Sequence, residues 1–323
     1  MALVFIVLSM NIAILGANSQ IAKDLISSFS DEDKNKVLYL FTRQPDKLKS
    51  WMHEKNINNK YLATDYGSFS ERKYDAIINF VGIGDPKMAI DVGPLIFDIT
   101  LEYDQMALDY LKFNPHCKYI FLSSGAVYGD VFNEPANEET RASIAINELQ
   151  SSNWYSIAKF HAEARHRALK DFSIVDIRVF NYFSCAMNME SRFLITDIVR
   201  SIYEKNVLKI SKENVVRDYL GASDFSQLIR LILESSSLNM SIDCYSKAPI
   251  DKKTILDIMQ QHFNLRYEFY EESQGVNATG KKLHYYSLNH KAKFLGYEPQ
   301  NTSLELLISQ AKIFLSSMQK NFR

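Results

Sequence analysis

Tyr155 and Lys159 are the residues whose types and spacing most directly suggest chemistry in this sequence. They lie in the segment NWYSIAKF, where a helix would place residues four apart on one face. Of the 18 tyrosines, Tyr155 alone has a lysine four positions later. A phenol ionises at about pH 10, and a nearby ammonium lowers that pKa by favouring phenolate. Tyr155 could then exchange a proton with a hydroxyl or ketone near neutral pH.

Ser124 is a second candidate, in the segment SSGAVYG at 123–129. The segment follows the apolar run KYIFL, and ligands bind at the carboxyl ends of parallel strands. A hydroxyl at this point could donate a hydrogen bond to a substrate oxygen. Runs of serine and glycine are also ordinary loop residues, so a purely structural loop remains the alternative.

The turn LGANSQIA follows the first apolar run and has the character of a phosphate-binding turn. Gly16 can form the tight turn, and the small residues Ser19 and Ala22 stand where a dinucleotide fingerprint has its second and third glycines. The N-terminus of the following helix would offer N–H groups and a positive dipole end to a phosphate. A plain strand-to-helix turn with one glycine is the alternative.

The second apolar run ends in Thr42 and Arg43 rather than in an acidic residue. An acidic side chain at this point would hold the adenosine ribose hydroxyls of NAD. A guanidinium suits a 2′-phosphate instead, so Arg43 favours NADP(H) over NAD(H). A solvated loop arginine is the alternative.

The elements that must position these residues follow an alternating pattern. Continuous apolar runs predict strands at 10–15, 36–42, 60–66, 75–82 and 172–180, and the segment 118–129 predicts a strand that runs into a loop. Helical patterns lie between them, including 93–113 and 153–169. Such runs are typical of a parallel sheet that helices cover on both faces. The sequence therefore predicts an α/β fold with a doubly wound parallel sheet.

The predicted domain boundaries follow from a change in this rhythm. Residues 1–9 form an N-terminal extension and 10–180 a dinucleotide-binding domain. Residues 181–323 are mainly a smaller, mostly helical substrate-binding lobe, with segments that return to the first domain. The apolar N-terminal segment lacks preceding basic residues and is short for a bilayer span, so it predicts a buried first strand and no membrane association.

The composition narrows the function classes. The 323 residues are 46% hydrophobic and 23% charged, with 37 basic and 38 acidic residues, so the formal net charge is −1. This balance does not favour nucleic acid as a partner. The three cysteines are far apart, which predicts neither a disulfide framework nor a thiolate metal site and favours a reducing cytoplasm. His161 and His166 lack metal-ligand spacing, so no metal is expected.

In their order along the chain, these motifs resemble the extended short-chain dehydrogenase/reductases, the NAD(P)-dependent nucleotide-sugar epimerase/dehydratase family. The segments INFVG, RVFNYFS, VRDYLGASDF and KFLGYEPQNTSLEL add to the resemblance, which covers about residues 10–320. It implies a Rossmann-type sheet with a C-terminal substrate lobe. The family turn is usually T-G-x-x-G-x-x-G, so two glycines are missing here.

The resemblance also implies roles for individual residues. Tyr155 would be the general acid/base, Ser124 would bind the substrate oxygen, and Lys159 would hold the nicotinamide ribose and tune Tyr155. The remaining cofactor contacts would come from Gly16, Ser19, Gln20, Ile21, Asp65, Tyr66, Val81 and Gly82, together with Thr42 and Arg43. Asn181 and Arg217 would contact the diphosphate of a nucleoside-diphosphate sugar.

The reaction implied is hydride transfer between NAD(H) or NADP(H) and C4 of that sugar. A net 4-dehydrogenase or 4-ketoreductase in bacterial surface-polysaccharide biosynthesis is the leading interpretation. A 4-epimerase and a non-catalytic nicotinamide-binding sensor or structural subunit are alternatives. Dehydratases of the family carry an Asp-Glu pair where this chain has Gly125 and Ala126, and this neutral pair cannot supply an acid and a base. The resemblance also implies a homodimer.

Overall fold

The computed structural model describes residues 9–29, 33, 35–57, 61–84, 86–129, 132–270 and 282–320. The predicted N-terminal extension, 1–9, therefore lies outside the described residues except for Ser9. No helix in the described ranges is both long enough and apolar enough to cross a lipid bilayer.

Helices and strands alternate through the first half of the chain. The strands are β1 (Met10–Leu15), β2 (Lys36–Phe41), β3 (Leu62–Thr64), β4 (Ala76–Asn79), β5 (Lys118–Ser124), β6 (Ile174–Val179), β7 (Asn181–Tyr182), β8 (Val207–Ser211), β9 (Val216–Arg217), β10 (Tyr219–Leu220), β11 (Asn239–Cys244), β12 (Ile250–Asp251), β13 (Arg266–Tyr270) and β14 (His284–Tyr285). The helices are α1 (Gln20–Ser28), α2 (Pro45–Glu54), α3 (Pro86–Val92), α4 (Leu95–Phe113), α5 (Ser151–Ala168), α6 (Leu194–Glu204), α7 (Ala222–Glu234), α8 (Lys252–Phe263) and α9 (Ser303–Lys320).

A seven-stranded parallel sheet forms the centre of the molecule, in the order β11-β6-β5-β4-β1-β2-β3. Ile12 and Ile14 of β1 are completely buried, as expected of a central strand with helices on both faces. The strand order reverses between β1 and β4, which opens a crevice at their carboxyl ends. The predicted α/β, Rossmann-type doubly wound sheet is confirmed.

Several predicted elements have different ends in the structure. Within 118–129 the strand ends at Ser124 and a 3-10 turn takes the place of the expected loop, and the strand expected over 60–66 is reduced to β3. The helix expected over 93–113 begins at Leu95, because Gly93 has a left-handed backbone (φ 57°) that separates α3 from α4.

Strand β11 is not predicted by the sequence pattern. Ser241 and Asp243 give β11 the pattern of a polar, exposed segment, yet Asp243 is fully buried. The Ser241 hydroxyl donates to Glu163 over 3.0 Å, and the Tyr128 hydroxyl donates to Asp243 over 2.9 Å. Polar side chains with such partners can be buried without a net penalty, so the hydrophobic pattern does not reveal this strand.

The C-terminal lobe packs around an apolar cluster contributed by α6, α8 and α9, including Ile198, Leu256 and Leu307. Three small sheets accompany these helices, with strand orders β10-β7, β12-β9-β14 and β13-β8. Within the same part of the sequence, β11 joins the main sheet and α7 packs against α1. The small sheets determine which side chains of this lobe reach the carboxyl edge of the main sheet.

Helix α5 is held against α4 and the sheet by a buried ionic cluster. The ring nitrogens of His166 lie 2.6 Å from Asp176 and 2.7 Å from Asp104, and all three side chains are fully buried. Arg178 of β6 pairs with Glu163 of α5 at 2.5 Å. These charges are satisfied mutually, as burial requires. They fix the helix that carries Tyr155 and Lys159.

Candidate active site

The predicted site residues lie where strands of the main sheet end. Gly16 follows β1, Thr42 and Arg43 follow β2, Asp65 and Tyr66 follow β3, Val81 and Gly82 follow β4, Ser124 ends β5, and Asn181 follows β6. Because these strands are parallel, their carboxyl ends form one edge of the sheet. Local sequence motifs far apart in the chain thus line one crevice.

Lys159 lies below the end of β5. This residue is 3% exposed, and its Nζ donates to the Leu122 carbonyl over 2.8 Å. The ammonium also lies 4.3 Å from the centre of the Phe121 ring. A Cβ placed on Gly82 would approach the Lys159 Nζ to 3.1 Å, so Gly82 leaves room for the ammonium beside the end of β4.

Tyr155 is half-buried one turn before Lys159 on α5. Burial raises the pKa of Tyr155, and a hydrogen bond with Ser124 acts in the opposite direction. The pKa of Tyr155 is therefore raised overall, whereas the sequence predicts that Lys159 lowers it. The reason is geometric, since the Lys159 ammonium points to the Leu122 carbonyl.

Burial also lowers the pKa of Lys159 to about 8, although the carboxylates of Asp104, Asp176 and Glu163 raise it. The ammonium is therefore held in a buried region that disfavours its charge, and the three carboxylates partly offset that effect. An amine with a pKa near the operating pH can respond to a bound ligand.

The turn after β1 requires glycine at its first position. Gly16 has φ of +73°, and a Cβ there would lie 2.9 Å from the Val81 backbone nitrogen. The Gly16 N–H donates to the Tyr66 hydroxyl over 3.0 Å. Ser19 caps α1 by accepting from the Ala22 N–H over 3.3 Å, so the serine in the second glycine position has a structural use.

The first turn of α1 leaves donors available. The first intrahelical bond runs from Lys23 N–H to the Ser19 carbonyl. In the part of the chain that the structure describes, the N–H groups of Gln20 and Ile21 have no acceptor. The buried Asn18 Oδ1 likewise has no hydrogen-bond partner there. Free N–H donors at a positive helix end suit the diphosphate of a dinucleotide, and the Asn18 oxygen could accept from a hydroxyl.

The residues after β2 and β3 differ in exposure. Thr42 is buried, and its hydroxyl accepts from Asn18 Nδ2 over 2.7 Å. Arg43 and Asp65 are exposed, and one Asp65 oxygen accepts from the Gly67 N–H over 2.9 Å. Arg43 is therefore open to a ligand, whereas the Thr42 hydroxyl already serves the turn.

Arg217 and Asn181 lie in β9 and β7, on the side of the C-terminal lobe. The Arg217 Nη1 donates to the Val216 carbonyl over 2.9 Å, and burial lowers the pKa of this guanidinium. Arg217 forms no ion pair with a carboxylate in the described ranges. Asn181 Nδ2 donates to the carbonyls of Asp218 (3.1 Å) and Tyr285 (3.4 Å). A guanidinium without a carboxylate partner is available to an anion.

Tyr285 is the site residue that the sequence does not reveal. It is 9% exposed, and its hydroxyl lies 3.2 Å from Ser124 Oγ, 161 positions away in the chain. Pairing of β14 with β9 places Tyr285 opposite Arg217. The Lys282 Nζ lies 4.4 Å from the centre of the Tyr285 ring. No local motif signals this contact, because it depends on pairing between small strands.

The fold and the site define the class. A doubly wound parallel sheet with a glycine turn after β1 and a Ser-Tyr-Lys group at β5 is a Rossmann-type short-chain dehydrogenase/reductase architecture. The chain belongs to the NAD dependent epimerase/dehydratase family, whose profile matches residues 12–241. The resemblance stated from the motifs is thereby confirmed.

Solved structures of the same fold cover nearly the whole chain. A dTDP-glucose 4,6-dehydratase from Bacillus anthracis, in complex with NAD, is 17% identical with a TM-score of 0.77, covering 96% of this chain and 98% of that one. A UDP-glucuronic acid 4-epimerase from Bacillus cereus is 16% identical with a TM-score of 0.78, covering 96% and 100%. A UDP-N-acetylglucosamine 4-epimerase from Methanobrevibacter ruminantium is 17% identical with a TM-score of 0.79, covering 96% and 100%. No curated protein sequence matches the chain.

Proposed function

We propose that the protein is an NAD(P)-dependent oxidoreductase that acts at C4 of a nucleoside-diphosphate sugar, as a 4-dehydrogenase or a 4-ketoreductase. One observation carries the proposal. The Ser124 hydroxyl, the Tyr155 phenol and the buried Lys159 ammonium gather at the end of β5, and Lys159 adjoins Gly82 at the end of β4. This set can move a proton at an oxygen beside a dinucleotide crevice.

Each member of the set has a distinct part in the reaction. A bound nicotinamide supplies hydride acceptance or donation. In the oxidative direction Tyr155 takes the proton of the sugar hydroxyl while the hydride leaves the same carbon, and a carbonyl remains. Ser124 donates a hydrogen bond to that oxygen. The Lys159 ammonium donates one hydrogen bond to the Leu122 carbonyl, and its remaining N–H groups can donate to a ribose hydroxyl.

Arg217 supports the choice of a nucleotide sugar. Its guanidinium has a geometry that matches phosphate oxygens, and in the described ranges no carboxylate pairs with it. The epimerase from Bacillus cereus was solved with UDP-glucuronic acid and NAD. The shared fold and the cationic side chain together favour a sugar diphosphate as the ligand of this crevice.

A dehydratase reaction is not supported. Gly125 and Ala126 provide neither an acid nor a base, and a side chain at Gly125 would overlap the Phe180 ring. A 4-epimerase would use the same three residues, and the state of the cofactor separates it from a net oxidoreductase. The exposed Arg43 favours NADP(H), which suits net reduction.

The first experiment identifies the cofactor. Freshly purified protein is denatured, and the released ligand is identified by mass spectrometry and absorbance. Tightly held NAD or NADH would favour the 4-epimerase, or a dehydrogenase that needs a second substrate to recycle its cofactor. An empty protein that binds NADPH more tightly than NADH would favour the ketoreductase, and no nicotinamide binding would contradict the proposal.

Turnover is then measured on a panel of UDP-, dTDP-, GDP- and CDP-hexoses and their 4-keto derivatives. Tyr155→Phe should lower kcat by about 10²- to 10⁴-fold, the usual contribution of a positioned acid/base. Cofactor binding should persist, because the ring is retained. Full turnover by this variant would support a non-catalytic role for the phenol.

A homodimer through α4 and α5 is part of the proposal. Leu95 and Leu101 of α4 are 57% and 42% exposed, and Phe160 of α5 is 46% exposed. Large apolar side chains exposed on two adjacent helices favour an interface. Light scattering after size exclusion should give twice the chain mass, and Phe160→Glu should shift the protein toward monomer.

A further inference from the structure

The Tyr285 side chain extends from the C-terminal lobe to the hydroxyl cluster of the active site, which is formed by Ser124 and Tyr155. Its ring lies edge-on to Phe132, with ring centres 4.9 Å apart, and 5.1 Å from the ring of Phe180. These contacts bury the ring and hold its hydroxyl 3.2 Å from Ser124 Oγ. The proposed function assigns no part to this phenol.

The other hydrogen bonds of Ser124 bear on which oxygen donates in its contact with the Tyr285 phenol. The Ala126 N–H donates to Ser124 Oγ over 3.2 Å, so one lone pair of this oxygen is used. Burial raises the pKa of Tyr285 far above its ordinary value, so the phenol keeps its proton. Either oxygen could donate across this contact, but a phenol is more acidic than an aliphatic hydroxyl and is the stronger donor, which favours donation from Tyr285 to Ser124 Oγ.

We propose that Tyr285 is a positioning residue, which donates to Ser124 Oγ and so directs the Ser124 proton toward Tyr155 and the reacting oxygen. A hydroxyl has one proton and two lone pairs. Once Ala126 and Tyr285 occupy both lone pairs, the Ser124 proton is free for a third oxygen. The proposal rests on the proposed function, in which Ser124 donates to the sugar oxygen.

A second set of contacts connects Tyr285 with the anion-binding side. The Arg217 guanidinium lies 6.0 Å and the Lys282 ammonium 4.4 Å from the centre of the Tyr285 ring. One aromatic ring therefore contacts both the cations of the substrate lobe and the hydroxyl of β5.

The test is Tyr285→Phe, which removes the hydroxyl and keeps the ring. Its matched control is Tyr286→Phe, because Tyr286 is a half-buried neighbour that does not belong to the hydroxyl cluster. Using the nucleotide sugar that the panel identifies, kcat should fall about three- to tenfold, as for loss of one hydrogen bond, with KM unchanged. The acidic limb of the oxidative pH–rate profile should move to higher pH, because the Ser124 proton, which favours the phenolate of Tyr155, is no longer directed toward it.

A double variant tests whether Tyr285 acts through Ser124. In the Ser124→Ala background, Tyr285→Phe should cause no further loss of kcat. Additive losses would overturn the inference, as would a rise in KM alone, which would place Tyr285 in direct contact with the substrate. An unchanged kcat and pH profile in Tyr285→Phe would also overturn the inference. If Tyr155→Phe were inactive in the same assay, the proposed function would still stand.

A third measurement needs no substrate. NMR of tyrosine labelled at the ζ-carbon, with Tyr155→Phe for assignment, follows the ionisation of Tyr155 in the whole protein. The Tyr155 pKa should be higher in Tyr285→Phe than in the wild type and unchanged in Tyr286→Phe. A Tyr155 pKa that is unchanged in both variants would refute the inference, and this result does not depend on turnover. A failure to turn over any nucleotide sugar would count separately, against the proposed function.

Discussion

The ring of Phe180 occupies the space that a side chain at Gly125 would need. Gly125 follows Ser124 directly, and Phe180 follows β6, so the contact joins the carboxyl ends of two neighbouring strands. An acidic residue could not enter this position without displacing the ring. The contact is thus a steric reason, beyond residue type, for the absence of a side chain at this position.

Gly125→Ala should destabilise the protein by about 1–3 kcal/mol, the usual cost of overpacking. The added methyl would have to displace the Phe180 ring, which also contacts Tyr285. Gly84→Ala is the matched control, since a Cβ on Gly84 meets no atom within 4 Å. Denaturant unfolding measures both, and equal midpoints for the two variants would contradict the packing argument.

Gly16→Ala should impair cofactor binding. A side chain at φ of +73° is strained, and its Cβ would press on the Val81 nitrogen at 2.9 Å. Backbone strain of this kind costs about 1–3 kcal/mol. The thermal stabilisation produced by NAD(P)H should shrink or vanish. If Gly16→Ala is stabilised by the cofactor as strongly as the wild type, the turn is not the phosphate site.

Lys159 should make cofactor affinity depend on pH. Burial lowers its pKa to about 8, so in the cofactor-free protein the ammonium is present below that pH and is lost above it. Affinity for NAD(P)H should therefore weaken as the pH rises through about 8. Lys159→Met should bind more weakly and without this dependence, whereas the exposed Lys170→Met should behave as the wild type. Fluorescence titration across the range measures both.

His166 should make folding stability depend on pH. Burial by itself lowers the pKa of His166, but Asp176 and Asp104 outweigh it and raise the pKa to about 9. The unfolded value is about 6.5. The stabilisation is fully present below about pH 6.5 and is lost as the pH rises through about 9, amounting to about 3 kcal/mol at most.

The free energy of unfolding, measured by denaturant at a series of pH values, should follow this decline. His166→Asn should lose several kcal/mol at pH 7, because two buried carboxylates remain without the imidazolium, and its decline with pH should disappear. His161→Asn, on the exposed face of the same helix, should keep the decline. A decline that persists in His166→Asn would assign it to another group.

Arg43→Gln tests the choice of cofactor. If the guanidinium pairs with a 2′-phosphate, the Kd for NADPH should rise by about tenfold or more, and that for NADH should stay the same. Lys47→Gln, a nearby exposed cation, controls for general electrostatic attraction. Equal effects on both cofactors would show that Arg43 does not read the 2′-phosphate.

Much of the fold follows from local sequence. Apolar runs long enough for a strand but too short for a helix mark β1, β2, β4, β5 and β6, because a strand buried on both faces is largely apolar. Since parallel strands end at one edge of a sheet, the residues after each run can be grouped from the sequence alone. The order of the motifs then indicates the family.

Other features needed the tertiary structure, because they depend on contacts between distant segments. The polar residues of β11 become buried only when β6 and α5 supply partners for Ser241 and Asp243. The Lys159 ammonium donates to the Leu122 carbonyl, a contact that the sequence does not reveal. The Tyr285 phenol reaches Ser124 only through pairing of β14 with β9. Local periodicity determines which face of an element is buried, whereas the partner of a buried polar atom is determined by packing.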